Sequence, residues 1–396
     1  MAVALRDPIH GSIPVADWAM PIIDSAVMQR LRRIQQLGTA HLVYPGANHK
    51  RFEHSLGASH LGGRLATALG MSDDDVRTVK AAALLHDVGH GPFSHAFEAL
   101  VKEQGRRHEE TSQDLIRWGP LADLLRQGGL DPVVVADCVA GKGALAPLVS
   151  GSLDADRMDY LLRDAHYTGV RTTVDIDRLA EVVERDARHG LVLQDSGILA
   201  AEGLLTTRFL MYPAVYLHHT VRAGESLLLA AIRCHLADGH ATLADLERET
   251  DDGLLWRIRG AGGAGAELIR RLDDRKLPKR AYEGRATDDG LPVVRDMRER
   301  PAARRRIEGE IADAAGLAHH LVHIDVPRPP KFREAGLNVR LRDGSTRPLP
   351  EVSHLVQVLH EARMDHWRWW VFAPKADRDR VAAAVGKVLP ELASRA

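Results

Sequence analysis

Four residues in this 396-residue chain have the donor types of a metal site: His54, the adjacent pair His86-Asp87, and Asp156. A contiguous His-Asp step offers an imidazole nitrogen and a carboxylate oxygen to one point in space. Adding His54 and Asp156 gives two nitrogens and two oxygens, a mix suited to divalent Mn, Fe, Ni, Zn or Mg. Such a centre can ionise a bound water and direct it at a phosphorus, so metal-dependent phosphohydrolysis is the leading reading. Taken alone, the dipeptide also reads as a capped helix end with a surface histidine. Its company favours chemistry: His90 and His95 follow closely, and the apolar run 81–85 delivers Asp87 to a depth where its charge needs a compensating partner.

A second group is Asp156, Arg157, Tyr160 and Asp164. At α-helical spacing they fall within one arc of about 100°. A helix face of acid, base, phenol and acid is no apolar packing stripe. It is either a solvated face of i,i+3 and i,i+4 pairs or a wall that gives Asp156 to a metal and Arg157 and Tyr160 to phosphate oxygens. Arg208, Tyr212 and Tyr216 follow an i, i+4, i+8 course that could form a further wall of cation and aromatic surface, although Pro213 interrupts it. His41, His49, His60, His218, His219, His319, His320 and His323 read as surface or satisfied core histidines. The basic run Arg304-Arg305-Arg306 reads as a solvated helix face, and Trp367-Arg368-Trp369-Trp370 as a strand with one buried face.

The elements that must hold these residues are mostly helical. Residues 1–20 read as an irregular or hairpin segment, with Pro8 and Pro14 discouraging helix. Apolar positions 27, 31 and 34 predict a helix over 25–37 closed by Gly38. Helices are expected over 50–69 and, from a Ser72–Asp75 cap, over 73–87, which sets His86-Asp87 in a last turn before Gly89, Gly91 and Pro92. Helices continue to about 235, and 245–315 stays helical in pattern with a Gly-rich interruption at 260–265. After Gly316 the period becomes two, with strands over 320–326, 337–342 and 367–372, a helix near 353–363 and a last helix over 377–391.

Composition sets bounds. Apolar residues make up 45% and aromatics 5%, which favours a Leu, Ala and Val core. The 53 basic and 54 acidic residues nearly cancel, so any anionic partner must be read from local patches. Cys138 and Cys234 are the only cysteines, and no CxxC spacing suggests a thiolate cluster. The opening residues have no signal-peptide core, and no run of about 18 apolar residues occurs. The expectation is a cytoplasmic protein with no membrane contact.

The motifs D-P-I-H-G (7–11), Q-R-L-R-R-I-Q-Q-L-G (29–38), Y-P-G-A-N-H-K-R-F-E-H-S-L-G (44–57), L-L-H-D-V-G-H-G-P-F-S-H (84–95) and D-A-D-R-M-D-Y-L-L-R-D (154–164) stand in one order. In these the chain resembles the SAM-and-HD-domain dNTP triphosphohydrolases and their bacterial relatives among the HD-domain phosphohydrolases. The resemblance covers about residues 5–220 and is faint beyond about 240. It implies a mainly α fold with an HD-type helical core; the change to period two after Gly316 adds a small C-terminal α+β appendage, so the expected division is 1–240, 241–315 and 316–396. It implies that His54, His86, Asp87 and Asp156 bind the metal, and that His90, His95 and His108 surround the α-phosphate with Glu98 orienting His95. Arg51, Arg157, Tyr160 and Arg208 would contact phosphates. Gln36 and Leu37 would crowd out a 2′-hydroxyl, Asp164 would take the 3′-hydroxyl, and Tyr216 would lie beside sugar and base.

Departures from the family are Arg157 in place of a lysine, Leu217 in place of a base-contacting glutamine, and the lack of a SAM domain. Asp24, Gln29 and Arg32 match part of a regulatory nucleotide site, with Arg6 replacing an asparagine there. Positions 24 and 32 could share a helix face; the plainer reading is an Asp24 cap and a solvated Arg32. The expected activity is hydrolysis of a dNTP to deoxynucleoside and triphosphate in a homo-oligomer that an activating nucleotide could regulate. The alternatives are an HD phosphodiesterase or nuclease acting on other nucleotides or single strands, and a nucleotide-sensing or nucleic-acid-binding protein with a vestigial site.

Overall fold

The computed structural model describes residues 3–186, 188–331 and 336–393, and it is mainly helical. The chain opens on a hairpin, β1 (Val3–Asp7) paired antiparallel with β2 (Gly11–Val15), with Gly11 at φ 72° in its turn. Helix Arg51–Ala68 is the spine of the N-terminal part and packs on helices Asp73–Leu85 and Ala155–Thr168. Gly57 makes the second contact possible: a Cβ there would sit 1.8 Å from Asp159 Oδ1. Ser72 caps the 73–85 helix by accepting from Asp75 N at 3.2 Å, and the helix ends on His86.

The expected helix over 25–37 is shorter. Ser25 caps an α-helical stretch Ala26–Arg30, a 3-10 turn Leu31–Arg33 follows, and Ile34 is extended. Gln35 instead bridges Lys50 and donates its N–H to Asp251 Oδ2 at 2.7 Å. The apolar spacing was real, because Leu31 and Ile34 are buried, but tertiary hydrogen bonds take the backbone beyond Arg33. Gly38, at φ 50°, turns a loop rather than ending a helix.

The strand content also differs from the sequence pattern. Within the stretch expected to be helical to 235 lies a hairpin, β3 (Val183–Asp186) with β4 (Gly190–Gln194). Within 245–315 lies β5 (Lys279–Arg285). The C-terminal strands β6 (His323–Asp325), β7 (Asn338–Arg340), β8 (Thr346–Pro348) and β9 (Arg368–Ala373) join these earlier ones through the β4–β7 and β5–β9 pairs, giving sheets of order β3-β4-β7-β8 and β5-β9-β6. Strands β3 and β4, of four and five residues, carry too little alternation to be seen in sequence, and β5, of seven residues, pairs with the remote β9.

One apolar cluster fills the helical N-terminal part and reaches Leu337, Val339 and Val356. Another joins helix His95–Glu103 to helices His219–Ala237, Asp251–Ala261 and Gly263–Asp273. A third lies between the β5-β9-β6 sheet and helices Pro301–Ala314 and Arg378–Val388. The tryptophan-rich strand is buried on both faces: Trp367 and Trp369 face this third cluster, and Trp370 packs with Phe372 and Ala223. β9 is central in its sheet and buried on both faces, which corrects the expectation of one buried face.

Candidate metal centre

His54 comes from the 51–68 helix, His86 and Asp87 from the end of the 73–85 helix, and Asp156 from the first turn of the 155–168 helix. Their ligating atoms converge. His54 Nε2 lies 3.1 Å from Asp156 Oδ1, 3.7 Å from Asp87 Oδ2 and 3.3 Å from His86 Nε2. His86 Nε2 lies 3.3 Å from Asp87 Oδ1 and 3.5 Å from Asp156 Oδ1. A divalent ion about 2.1 Å from nitrogen and oxygen ligands sets neighbouring ligand atoms roughly 3.0–3.4 Å apart, so this donor set fits one.

The ring orientations agree. His54 Nδ1 donates to Asp159 Oδ2 at 2.8 Å, and His86 Nδ1 donates to the Ala83 carbonyl at 2.7 Å. Both rings therefore turn Nε2 toward each other, an unfavourable meeting of two lone pairs unless a cation or proton lies there. Burial opposes a positive charge on His54, but the Asp156 and Asp159 carboxylates outweigh it and raise its pKa to about 10. Against the cost of desolvation, His54 and His86 hold the half-buried Asp156 below the usual carboxylate range.

The outer partners are as fixed as the ligands. Asp159, fully buried, also accepts from His10 Nε2 at 2.6 Å and from Arg163 Nε at 2.9 Å, and Arg163 reaches Asp7 Oδ2 at 2.8 Å. Asp87 pairs with Arg51 NH1, which holds its carboxyl well below the ordinary value against the cost of burial. Arg51 Nε donates to Ser94 Oγ at 2.6 Å, while its NH2 is buried with no hydrogen-bond partner among the described residues. Ser94 is placed for this by an unusual turn: Phe93 and Ser94 sit at φ 52° and 50°, and Asp251 Oδ1 accepts the Phe93 N–H.

A cavity of about 1100 Å³ opens from this centre. Its wall includes Arg51, His86, Asp87, Asp156, His90 and His108. His90 and His108 stack at 3.7 Å, and His108 Nδ1 lies 2.8 Å from Glu98 Oε1. Burial, Arg51 and His108 hold His90 neutral, well below the ordinary histidine pKa. The Glu98 carboxylate thus serves His108; the side chain of His95 lies outside the described residues, and its backbone opens the 95–103 helix. Across the cavity stand Gln36, Leu37, Tyr160, Asp164, Tyr212 and Tyr216. Tyr216 donates its hydroxyl to Asp164 Oδ2 at 2.8 Å, and His49 holds Asp164 Oδ1 at 2.8 Å. His49 is thus a buried histidine rather than a surface one, with Nε2 paired and Nδ1 without a hydrogen-bond partner among the described residues.

Other expected residues lie elsewhere. Arg157 NH1 donates to the Gly151 carbonyl at 2.6 Å, and Arg208 donates to Tyr160 Oη and the Lys331 carbonyl at 2.9 Å each; neither lines the cavity. Pro213 starts a π-helical turn, Tyr212–Tyr216, which swings Tyr216 toward Asp164. Asp24 ends a short helix, Met20–Ile23, and so shares no helix face with Arg32, which bonds Gln29 at 2.9 Å and stacks over Phe52 at 3.6 Å. The residues that sequence reasoning passed over, Asp7, His10, Asp159 and Ser94, all lie inside the quoted motifs, so the signal was present without a role attached.

With this geometry in hand, the comparisons with known proteins agree. Residues 51–122 match the HD domain, and residues 174–393 match the HD associated region. The chain belongs to the HD-domain family. An uncharacterized protein of Methanocaldococcus jannaschii is 31% identical over 98% of this chain and 84% of its own length. A deoxynucleoside triphosphate triphosphohydrolase SAMHD1 homolog of Dictyostelium discoideum is 32% identical over 69% of this chain and 55% of its own length, so the HD chain spans about half of that relative. A phosphohydrolase from Bacteroides thetaiotaomicron overlays with a TM-score of 0.76 at 26% identity, covering 94% of this chain and 100% of that one. The protein is thus an HD-type phosphohydrolase with a candidate His/Asp divalent-metal centre. No described helix is long and apolar enough to cross a membrane.

Proposed function

We propose that this HD protein hydrolyses deoxynucleoside triphosphates to a deoxynucleoside and inorganic triphosphate. The observation that carries the reading is the cavity itself: four convergent ligand atoms and a buried, unpartnered Arg51 amino group on one side, and the Tyr216–Asp164–His49 chain with Gln36 and Leu37 on the other. His54, His86, Asp87 and Asp156 would hold a divalent cation, Mn, Fe, Mg, Ni or Zn. Such an ion supplies an acidified water and neutralises charge at phosphorus.

The chain's own residues do the rest. Arg51 NH2 binds a phosphate oxygen, and Ser94 and Asp87 hold the guanidinium in place for it. His90, kept neutral, stacks on His108 without adding charge. His108 is oriented by Glu98 and, with His95, is a proton donor to the leaving 5′-oxygen. In the net reaction a P–O bond forms from water as the α-phosphorus–O5′ bond breaks, and the 5′-oxygen takes up the proton. Asp164 accepts from the sugar 3′-hydroxyl, with His49 and Tyr216 fixing both of its oxygens. Gln36 and Leu37, pinned through Gln36 N to the His49 carbonyl at 3.1 Å, leave no room for a 2′-hydroxyl. The reading also carries a homo-oligomer and a cytoplasmic setting, which sedimentation and fractionation test.

Product analysis on the four dNTPs with Mn or Mg tests the reading. Triphosphate and deoxynucleoside are expected; monophosphate and pyrophosphate would replace this reaction with a phosphodiester-type cleavage.

A further inference from the structure

The cavity continues past the metal centre along the 95–103 helix. Glu98 lies at the metal end of that helix and Glu103 at its last residue, roughly 7.5 Å further by helical rise. Three arginines meet at Glu103. Arg233 NH2, from the 219–237 helix, lies 2.7 Å from Oε1; Arg304 NH2 and Arg305 NH1, from the 301–314 helix, lie 3.5 Å from Oε1 and 2.8 Å from Oε2. All four residues line the cavity. Arg304 is therefore turned away from the solvated helix face that the basic run suggested, whereas Arg305, 45% exposed, and Arg306, which pairs with Glu310, remain on it.

One carboxylate cannot neutralise three guanidinium groups, and the neighbouring acids are committed. Asp325 accepts from Nε and NH2 of Arg222 at 2.7 Å each, and Glu225 accepts from its NH1 at 2.6 Å. Glu308 accepts the Ile324 N–H at 2.8 Å and, being buried, is pushed toward its neutral form. Lys102 adds a further cation to the wall, paired with Glu98 at 2.7 Å. The Nε groups of Arg233 and Arg304 are buried donors without a partner among the described residues. Burial and the nearby Arg233 make the charge of Arg304 costly to hold. Surplus cations and spare donors that face enclosed space are the makings of an anion site.

We propose that Arg233, Arg304 and Arg305 form a second phosphate-binding site in this cavity, one that takes a polyphosphate chain, either free inorganic triphosphate or the tail of a nucleotide. The site stands on the cavity and its arginines and is independent of the dNTP reading. A bound polyphosphate would draw the three side chains off Glu103 onto its own oxygens.

The test is calorimetric titration of the protein with sodium tripolyphosphate, with folding of each variant checked by circular dichroism. Two equivalents per chain are expected for the wild type. Arg305→Ala and Arg233→Ala should each abolish one of them, and Arg51→Ala should abolish the other. Glu103→Gln removes the competing carboxylate and should tighten the arginine site several-fold, an effect opposite in sign to any loss of packing. Repeating the titration with a non-hydrolysable α,β-imido deoxynucleoside triphosphate separates the sources. Binding at least tenfold tighter than tripolyphosphate at the Arg305-dependent site assigns it to a nucleotide tail, and anything weaker assigns it to the free chain. A single equivalent unaffected by Arg305→Ala and Arg233→Ala, or an unchanged affinity in Glu103→Gln, would overturn the proposal.

Discussion

The two ends of the cavity treat charge differently. At the metal end the carboxylates are buried and closely held: Asp159 by His54, His10 and Arg163, Asp87 by Arg51, and Glu98 by His108 and Lys102. At the arginine end three cations share Glu103, and the side chains are looser, from 16% exposed for Arg304 to 45% for Arg305. The first arrangement fixes geometry before any ligand arrives, as bond-making at phosphorus demands. The second concentrates charge with little commitment to direction, which suits holding an anion rather than transforming it. The contrast assigns chemistry to one end and binding to the other.

The largest expected effect comes from breaking the ordered end at its centre. Asp87→Ala should reduce turnover to background and strip the metal while circular dichroism remains native. Elemental analysis of a folded, inactive variant showing undiminished metal would remove Asp87 from the ligand set.

One step out, Asp159→Asn keeps the shape but weakens the hold on His54 Nδ1 and on His10. Outer-shell partners of metal ligands commonly contribute about 10–100-fold in affinity, and a loss in that range is expected here. High metal concentration should restore turnover in Asp159→Asn but not in Asp87→Ala. If the two variants respond alike to added metal, the distinction between ligand and outer partner fails.

Much of the ordered end was legible in the sequence, and little of the other was. His54, His86, Asp87 and Asp156 carry donor types that buried helix ends seldom hold without reason, and short motifs fix their local structure. Asp159 and His10 stood in those motifs, yet nothing in one sequence says that residues 149 positions apart will meet at 2.6 Å. Arg304 and Arg305 look like any charged helix face; only the packing of the 301–314 helix beside Glu103 and Arg233 brings them to the cavity wall. Strand β5 was hidden for the same reason, since its partner β9 is far along the chain, and the β3–β4 hairpin is short and joins its sheet through the remote β7. Local signals survive where function depends on neighbouring residues and vanish where it depends on tertiary approach.

The arginine end should also be the acid-sensitive one. His323, buried on β6, is held neutral by burial first and then by Arg233, His320 and Arg271, with a folded-state pKa of about 3. Its pKa when unfolded is the ordinary value near 6.5, so the folded value is depressed. The unfolded chain then binds the extra proton between those two values, and stability is full above pH 6.5 and lost as pH falls toward 3. From pH 6.5 to pH 5 the loss is at most about 2 kcal/mol. Denaturant titrations of His323→Gln should show a correspondingly shallower fall over that interval; an unchanged slope would move the acid sensitivity to another group.

The smallest effect probes the wall opposite the metal. Leu37 stands beside Gln36 on a segment whose flanks are tied down: Gln35 N to Asp251, Gln36 N to the His49 carbonyl, and Gly38 in a turn whose Cβ position faces Glu225 and the Phe93 carbonyl. A wall so fixed can exclude a 2′-hydroxyl by shape alone, without a polar group aimed at it. Shape exclusion in an apolar pocket is worth only about 1–3 kcal/mol, far less than the loss of a metal ligand. Leu37→Ala should therefore leave kcat on dGTP within a few-fold and raise kcat/KM for GTP by about tenfold. If wild-type protein already uses GTP and dGTP equally, or if Leu37→Ala lowers both by the same factor, the 36–38 segment is a plain structural wall. The sugar would then be read by Asp164 and Tyr216 alone.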